Sequence, residues 1–209
     1  MGRIVSEEIK ILASCLPNYM KINSLFLPYG PTEIVTVENE TEAGLVVKSL
    51  VDSFDRELNV LLNCTADIGL DCLKEKVSSV VGIGSAGFEQ ATLRKKPFFI
   101  IVPNSNYIPS IEIQTKGLFI DYWVGGIYSM GYEVSEFVDH REYAVRRLLE
   151  LVEQNRVLQT ETVLFGCGTM LLLYRSAPSL WRAHNIIEPT IAGLHKLMIM
   201  MDVQPLSNA

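Results

Sequence analysis

Leu61-Leu62-Asn63-Cys64-Thr65-Ala66-Asp67-Ile68-Gly69-Leu70 is the stretch that decides the fold. A run from Asn59 to Leu62 stops at a polar turn carrying a cysteine, and helix-compatible sequence follows over residues 68–76. A short apolar run closed by a turn and followed by a helix reads as a buried strand that ends, turns and opens a helix. In open α/β sheets that turn lies at the carboxyl edge, where ligands bind. About half a chain length later the pattern recurs. Thr162-Val163-Leu164-Phe165-Gly166-Cys167-Gly168-Thr169-Met170 is again an apolar strand ending in a cysteine, with a threonine close behind. Two strand-end cysteines in a chain of 209 residues predict two similar halves facing each other across one site.

The segments around these two turns alternate. A short strand is expected at residues 3–5. Ser6 then caps a helix that begins with Glu7-Glu8 and ends by Pro17. Residues 22–27 read as a strand, Pro28-Tyr29-Gly30-Pro31 as a turn, and 41–54 as a helix with Ala43, Val46, Val47, Leu50, Val51 and Phe54 on one face. Val80-Val81-Gly82-Ile83-Gly84 is a strand entering a glycine turn, with Ser85 as cap of a helix to about Arg94. Residues 97–102 form the next strand, and 108–116 a helix. Residues 119–124 look extended and are broken by Gly125-Gly126. Asp139 and Glu142 open a long helix over 140–156. Residues 178–182 are expected to be helical and Ile186-Ile187 a strand. Glu188-Pro189 opens a final helix that ends near Met201. Strands alternating with helices imply an α/β fold with parallel sheets covered on both faces. The expected organisation is a first α/β lobe of residues 1–95 plus 186–209, to which the last helix returns, and a second lobe of 96–185.

Hydrophobic residues make up 48% of the chain and charged residues 20%, which indicates a globular protein and excludes a disordered one. A net charge of −6, with basic clusters no longer than Arg94-Lys95-Lys96, argues against a nucleic-acid surface. Glu7 and Glu8 stand where the apolar part of a signal peptide would sit. The apolar stretch 162–174 is too short to span a bilayer. A soluble cytoplasmic protein is expected. The cysteines are Cys15, Cys64, Cys72 and Cys167, with no C-x-x-C spacing, so zinc-ribbon and thioredoxin readings lack support and free thiols are expected. Gly82-x-Gly84-x-x-Gly87 matches a dinucleotide fingerprint in form but has no convincing acidic ribose ligand about 20 residues on.

A cysteine between a strand and a helix N-terminus should feel a positive local field that favours thiolate. The neighbouring backbone N–H groups can hold a carboxylate or imide oxygen. One such cysteine suggests a nucleophile. Two on opposite walls of one cleft suggest two bases: a carbon acid loses its proton to one sulfur and regains one from the other, inverting its stereocentre without a cofactor. Such a pair cannot be disulfide-bonded, because substrate must fit between the sulfurs.

The chain resembles the Asp/Glu/hydantoin racemase superfamily, and the hydantoin racemase branch more than the glutamate racemase branch. The resemblance rests on Asn63-Cys64-Thr65-Ala66-Asp67-Ile68-Gly69-Leu70-Asp71, on Val81-Gly82-Ile83-Gly84-Ser85-Ala86 and on Leu164-Phe165-Gly166-Cys167-Gly168-Thr169-Met170. Weaker echoes are Leu27-Pro28-Tyr29-Gly30-Pro31 and Ile187-Glu188-Pro189. The resemblance implies two Rossmann-like α/β/α lobes related by pseudo-twofold symmetry with the active site in the cleft between them. It also implies cofactor-independent chemistry, with Cys64 and Cys167 as the catalytic pair. Thr65, Ala66, Ser85, Gly168 and Thr169 become the candidate substrate-binding residues, and no metal is expected. This branch usually reads Gly-Cys-Thr-Gly-Met or Gly-Cys-Ala-Gly-Met at the second turn, whereas Thr169 here stands one place later. Ile68 replaces a common proline. No histidine follows Cys167, unlike the glutamate racemases, which disfavours glutamate as substrate.

Several of these residues have plainer readings. Cys15 and Cys72 sit in helical patterns and read as small buried hydrophobes. Thr65, Asp67, Ser85 and Thr169 are also ordinary helix caps. Asn104 and Ser105 follow a strand, but turn chemistry explains them. His140, His184 and His195 lack metal-ligand spacing. The cluster Met198, Met200 and Met201 fits a core or a subunit contact. The expected function is a cofactor-independent racemase or epimerase of an amino acid or a cyclic derivative such as a hydantoin. It would act on a small anionic or imide substrate as a homo-oligomer, with no nucleic-acid or membrane partner. A maleate-isomerase-like reaction and an inactive ligand-binding relative are the alternatives.

Overall fold

Phe98-Phe99-Ile100-Ile101-Val102 is apolar at every position, the signature of a parallel strand covered on both faces. In the computed structural model, which describes residues 2–12, 21–155, 161–177 and 184–203, it is the strand β3 (Phe98–Val102) of the larger of two parallel sheets. The strands before it are β1 (Asn59–Leu62) and β2 (Ser79–Gly82), which pair with each other. The larger sheet has the order β4-β3-β5-β6, with β4 (Val124–Ser129), β5 (Thr162–Phe165) and β6 (Ile186–Ile187) all parallel to their neighbours. Helices α1 (Gly2–Leu12), α2 (Val37–Val51), α3 (Leu70–Lys76), α4 (Ile83–Thr92), α5 (Ile108–Gly117), α6 (Glu136–Asp139), α7 (Arg141–Gln154), α8 (Leu171–Ser176) and α9 (Pro189–Met200) alternate with the strands or flank them. The fold is mixed α/β with parallel sheets, as the alternation predicted.

Burial explains the arrangement. Phe98, Ile100, Ile101, Phe165 and, from α7, Leu148 are withdrawn from solvent, each contributing about 1.5–3 kcal/mol of hydrophobic stabilisation. Helix α7 buries Ala144, Leu148 and Val152, four residues apart, against this core. A separate small core of Val47, Val51, Leu70, Leu73, Val77 and Val80 joins α2 and α3 to β2. Cys72 packs beside it, and Cys15 lies outside the described residues. Helix α4 sits between the sheets, touching β2, β5 and β6, and α9 packs on α4, β1 and β2. Strand β6 is therefore hydrogen-bonded into the larger sheet, while the helix that follows it lies on the smaller one.

Several local expectations give way to tertiary structure. Residues 3–5 are helical, because Val5, Ile9 and Leu12 fall on one helical face and pack on the main core. Helix α1 lies against α8 of the larger-sheet side, and Glu8 pairs with Arg141 and Arg175 there. Residues 22–27 form no strand. They have no paired neighbour, and Leu25, Phe26 and Leu27 are exposed. Of residues 119–124 only Val124 is in a strand, after a turn of 3-10 helix at Asp121–Trp123, and β4 runs straight through Gly125-Gly126. The register slips by one residue between Phe98 and Phe99, leaving Gly125 as an unpaired bulge residue. Helix α4 starts at Ile83 behind Gly82, so Ser85 lies in its first turn and is not its cap. Residues 178–182 lie outside the described residues.

Candidate active site

The two cysteines occupy equivalent places: each stands two residues beyond the carboxyl end of a parallel strand, Cys64 after β1 and Cys167 after β5. Both are free thiols. Their turns meet. The Thr65 hydroxyl donates to the Gly166 carbonyl at 2.9 Å, tying the residue after one cysteine to the residue before the other. A Cβ added at Gly168 would stand 2.8 Å from Ile83 and 3.1 Å from Asn63 Oδ1, so the second turn presses on the first and on the start of α4. The Thr190 hydroxyl donates to the same Asn63 oxygen at 3.1 Å. Gln114 of α5 donates its side-chain amide to the Thr65 carbonyl at 2.6 Å.

Asp67 closes the first turn. Its carboxylate accepts from Gly84 N–H at 3.0 Å, from Ser85 N–H at 2.7 Å and from the Ser85 hydroxyl. A carboxylate of the chain thus fills the anion-binding end of α4, and Ser85 is engaged by it. Asn104 is engaged in turn chemistry: it accepts from Asn106 N–H at 3.0 Å and donates to the Tyr132 carbonyl at 3.3 Å and to Glu133 at 3.2 Å. Thr169 lies 2.9 Å from the Cys167 sulfur through its hydroxyl, so the displaced threonine of the second turn caps the thiol.

The electrostatics correct one expectation. Neither thiol is acidified. Burial pushes Cys64 up to about 11; N–H groups of Ala66 and Ile68 pull the other way, while Cys167 and Asp67 add to the rise. Burial also raises Cys167, against hydrogen bonds from the Thr169 hydroxyl and N–H, with Glu33 and Glu188 raising it further. The reason is geometric. Helix α3 begins only at Leu70, behind Gly69, and Cys167 precedes a three-residue 3-10 turn, so little helix dipole bears on either sulfur and desolvation dominates.

Three residues not anticipated from sequence complete the site. Tyr107, buried in the 3-10 turn after β3, is raised chiefly by burial and then by the charges of Cys167, Glu33, Glu133 and Cys64, so its phenol lies within electrostatic reach of both sulfurs. Glu33, from the segment before α2, hydrogen-bonds Tyr107; burial foremost, then Glu133, raises its pKa. Glu188, at the end of β6, is 3% exposed and pushed up to about 7 by burial, against hydrogen bonds from Ile191 and Thr190. Tyr107 follows a strand end, a signal available in the sequence; Glu33 carried none. A groove of about 260 Å³ lined by Arg3, Ser6, Lys10 and Asn23, among others, shares no residue with this site. No described helix is long and apolar enough to cross a membrane.

Because Thr65 spans the two turns, Thr65→Val should loosen the pairing of the sulfurs. The expected cost is about 1 kcal/mol of stability with a larger loss of turnover, read by thermal unfolding and by steady-state rates on one preparation. Unchanged turnover would show that the cross-turn bond does not set the geometry.

No protein-family model matches this sequence, and no curated protein does. Solved structures do. The allantoin racemase from Pseudomonas fluorescens superposes with a TM-score of 0.79 at 16% identity, over 98% of this chain and 87% of that one. The allantoin racemase from Klebsiella pneumoniae gives 0.74 at 16% identity, over 96% and 84%. A glutamate racemase from Bacillus anthracis gives 0.58 at 19% identity, over 96% and 77%. At these identities the likeness is one of fold: the chain has the α/β fold seen in allantoin and glutamate racemases.

Proposed function

We propose that the protein is a cofactor-independent racemase or epimerase acting on an amino acid or a cyclic amino-acid derivative of the hydantoin type, with Cys64 and Cys167 as its two bases. The observation that carries this reading is the meeting of two turns, each carrying an unbridged strand-end thiol, held together by the Thr65–Gly166 hydrogen bond. One sulfur, as thiolate, takes the α-proton from one face of the substrate. The electron pair left on carbon delocalises into the adjacent carbonyl. The other sulfur, as thiol, delivers a proton to the opposite face and is left as thiolate, so the protonation states of the pair are exchanged after each inversion. The N–H groups of Ala66 and Ile68 beside Cys64, and those of Thr169 beside Cys167, favour each sulfur's charged form in turn. Thr65, Ala66, Gly168 and Thr169, which directly follow the two cysteines in the chain, are the proposed substrate-binding residues.

The acids around the sulfurs favour a hydantoin-like substrate over a dicarboxylate such as glutamate or maleate. Glu33 and Glu188 lie within electrostatic reach of Cys167, so a second substrate carboxylate would meet like charge. An imide or ureide brings N–H donors instead. The higher TM-scores to the allantoin racemases than to the glutamate racemase run the same way, since allantoin is a substituted hydantoin.

Solvent-deuterium exchange at the α-carbon of 5-substituted hydantoins and of free amino acids tests the reading. Exchange accompanied by loss of optical rotation is the expected result; neither event with any member of either series would retire it. The raised thiols also predict the pH dependence. Because burial holds Cys64 at about 11, the free enzyme contains little thiolate at neutral pH. kcat/KM, which reports the free enzyme, should climb roughly tenfold per pH unit from neutrality and flatten only near the Cys64 value. A plateau already reached near pH 7 would show that the thiols are acidic in solution.

A further inference from the structure

Glu188 is a buried carboxyl that takes no part in the proton transfers described above. Its Oε2 accepts from Ile191 N–H at 2.8 Å, capping α9. Its Oε1 is fully buried and has no hydrogen-bond partner. Sheet register places it beside the second cysteine turn: Val163 pairs with Ile186 and Leu164 with Ile187, so Glu188 leaves β6 at the same carboxyl edge from which β5 runs on to Cys167. The charge of Glu188 bears on Cys167 and is not among the leading influences on Cys64. The two sulfurs are therefore unequal. Each sulfur has two hydrogen-bond donors, Ala66 and Ile68 N–H at Cys64 and the Thr169 hydroxyl and N–H at Cys167, but Cys64 is half-buried with one acid, Asp67, bearing on it, whereas Cys167 is buried with two, Glu33 and Glu188.

We propose that Glu188 is a positioning residue that sets which sulfur holds the proton at rest: its carboxyl, on the Cys167 side of the seam, keeps Cys167 a thiol and leaves Cys64 as the resting base. The inference rests on the two-thiol reading of the site. A negative charge beside a thiol disfavours the thiolate, and in a buried place the effect is weakly screened. The effect has its own pH window. Glu188 is pushed up to about 7, so it is neutral and without influence below that value and charged above it. The groups facing Glu188 are the Ile191 N–H, Thr190 and Cys167. On the helices packed against it, Glu89 of α4 and Lys196 of α9 pair with each other at the surface, and His195 is exposed. Glu33 bears on Cys167 independently and would be unaffected by a change at 188.

The test needs no substrate. Iodoacetamide alkylation of Cys64 and Cys167 is followed separately by peptide mass spectrometry from about pH 6 to about pH 12. The midpoint of each rate profile reports ionisation, and its plateau reports access. In the unaltered protein Cys64 should show the lower midpoint. Glu188→Gln keeps shape and removes the charge; it should lower the Cys167 midpoint and speed its alkylation about threefold to tenfold above neutrality, with no change below about pH 6 and none at Cys64. Glu188→Asp retains the charge and the helix cap and should keep the Cys167 profile close to the original, which separates loss of charge from loss of packing. If the Gln variant does not fold by circular dichroism, the order of the two midpoints in the unaltered protein decides. An unmoved Cys167 midpoint, or Cys167 ionising before Cys64 in the unaltered protein, would overturn the assignment. Absence of α-deuterium exchange alongside the expected shift would retire the racemase reading and leave the role of Glu188 standing.

Discussion

Cys64→Ser and Cys167→Ser should each abolish racemisation, by about a thousandfold or more, because a full inversion needs a proton acceptor on one face and a donor on the other. Serine keeps the size of the side chain, but its hydroxyl does not ionise in the accessible range, so the loss is chemical and the fold should persist. The single variants should still differ in what they retain. Each keeps one thiol on one side of the seam, since the two cysteines come from different sheets. Cys64→Ser should exchange the α-proton of one enantiomer with solvent deuterium, and Cys167→Ser that of the other. Chiral separation followed by mass spectrometry of each enantiomer reads this directly. Two variants with the same residual preference, or a Cys64→Ser protein that racemises at the original rate, would show that the pair does not act as two bases. A single essential sulfur of that kind is the pattern of a maleate-isomerase-like addition, in which one thiol bonds to the substrate.

Gly84→Ala is expected to be the most damaging change outside the cysteines. A Cβ on Gly84 would overlap the Thr65 carbonyl oxygen and stand 2.8 Å from the Thr65 carbonyl carbon and 2.9 Å from Gln114 Nε2. The neighbour is backbone and cannot step aside as a flexible side chain would. Either the Cys64 turn moves away from α4, breaking the Gln114–Thr65 bond and straining the Thr65–Gly166 contact, or the start of α4 shifts and releases Asp67 from Gly84 and Ser85. Overpacking of this kind costs about 1–3 kcal/mol. The loss of turnover should exceed what the stability loss explains, because the displaced element carries one of the two bases. Thermal unfolding and deuterium exchange on the same variant separate the two effects. A folded variant with normal exchange would mean that the contact between α4 and the Cys64 turn is not what holds the sulfurs in register.

Local sequence determined the strand-turn-helix units at Cys64 and Cys167, because an apolar run ending in a polar turn has few other readings in a chain of this composition. It likewise determined the parallel α/β character and the helices of residues 37–51, 141–154 and 189–200, whose buried positions recur with helical spacing. Tertiary structure decided what had no local signature. Residues 3–5 became helical because Val5, Ile9 and Leu12 found a core to cover. The run 22–27 did not become a strand: it pairs with neither sheet, and Leu25, Phe26 and Leu27 stay exposed instead of covering a core. Gly125-Gly126, read as a break, became the middle of β4 because the register of β3 has room for a bulge there. The acidity of the cysteines was decided the same way. A helix dipole is a local inference, but desolvation depends on everything that surrounds the sulfur, and it prevailed at both thiols. Tyr107, Glu33 and Glu188 come from three separate segments, and only folding sets their charges against the cysteine pair, because an electrostatic partner is chosen by distance in space and not by position along the chain.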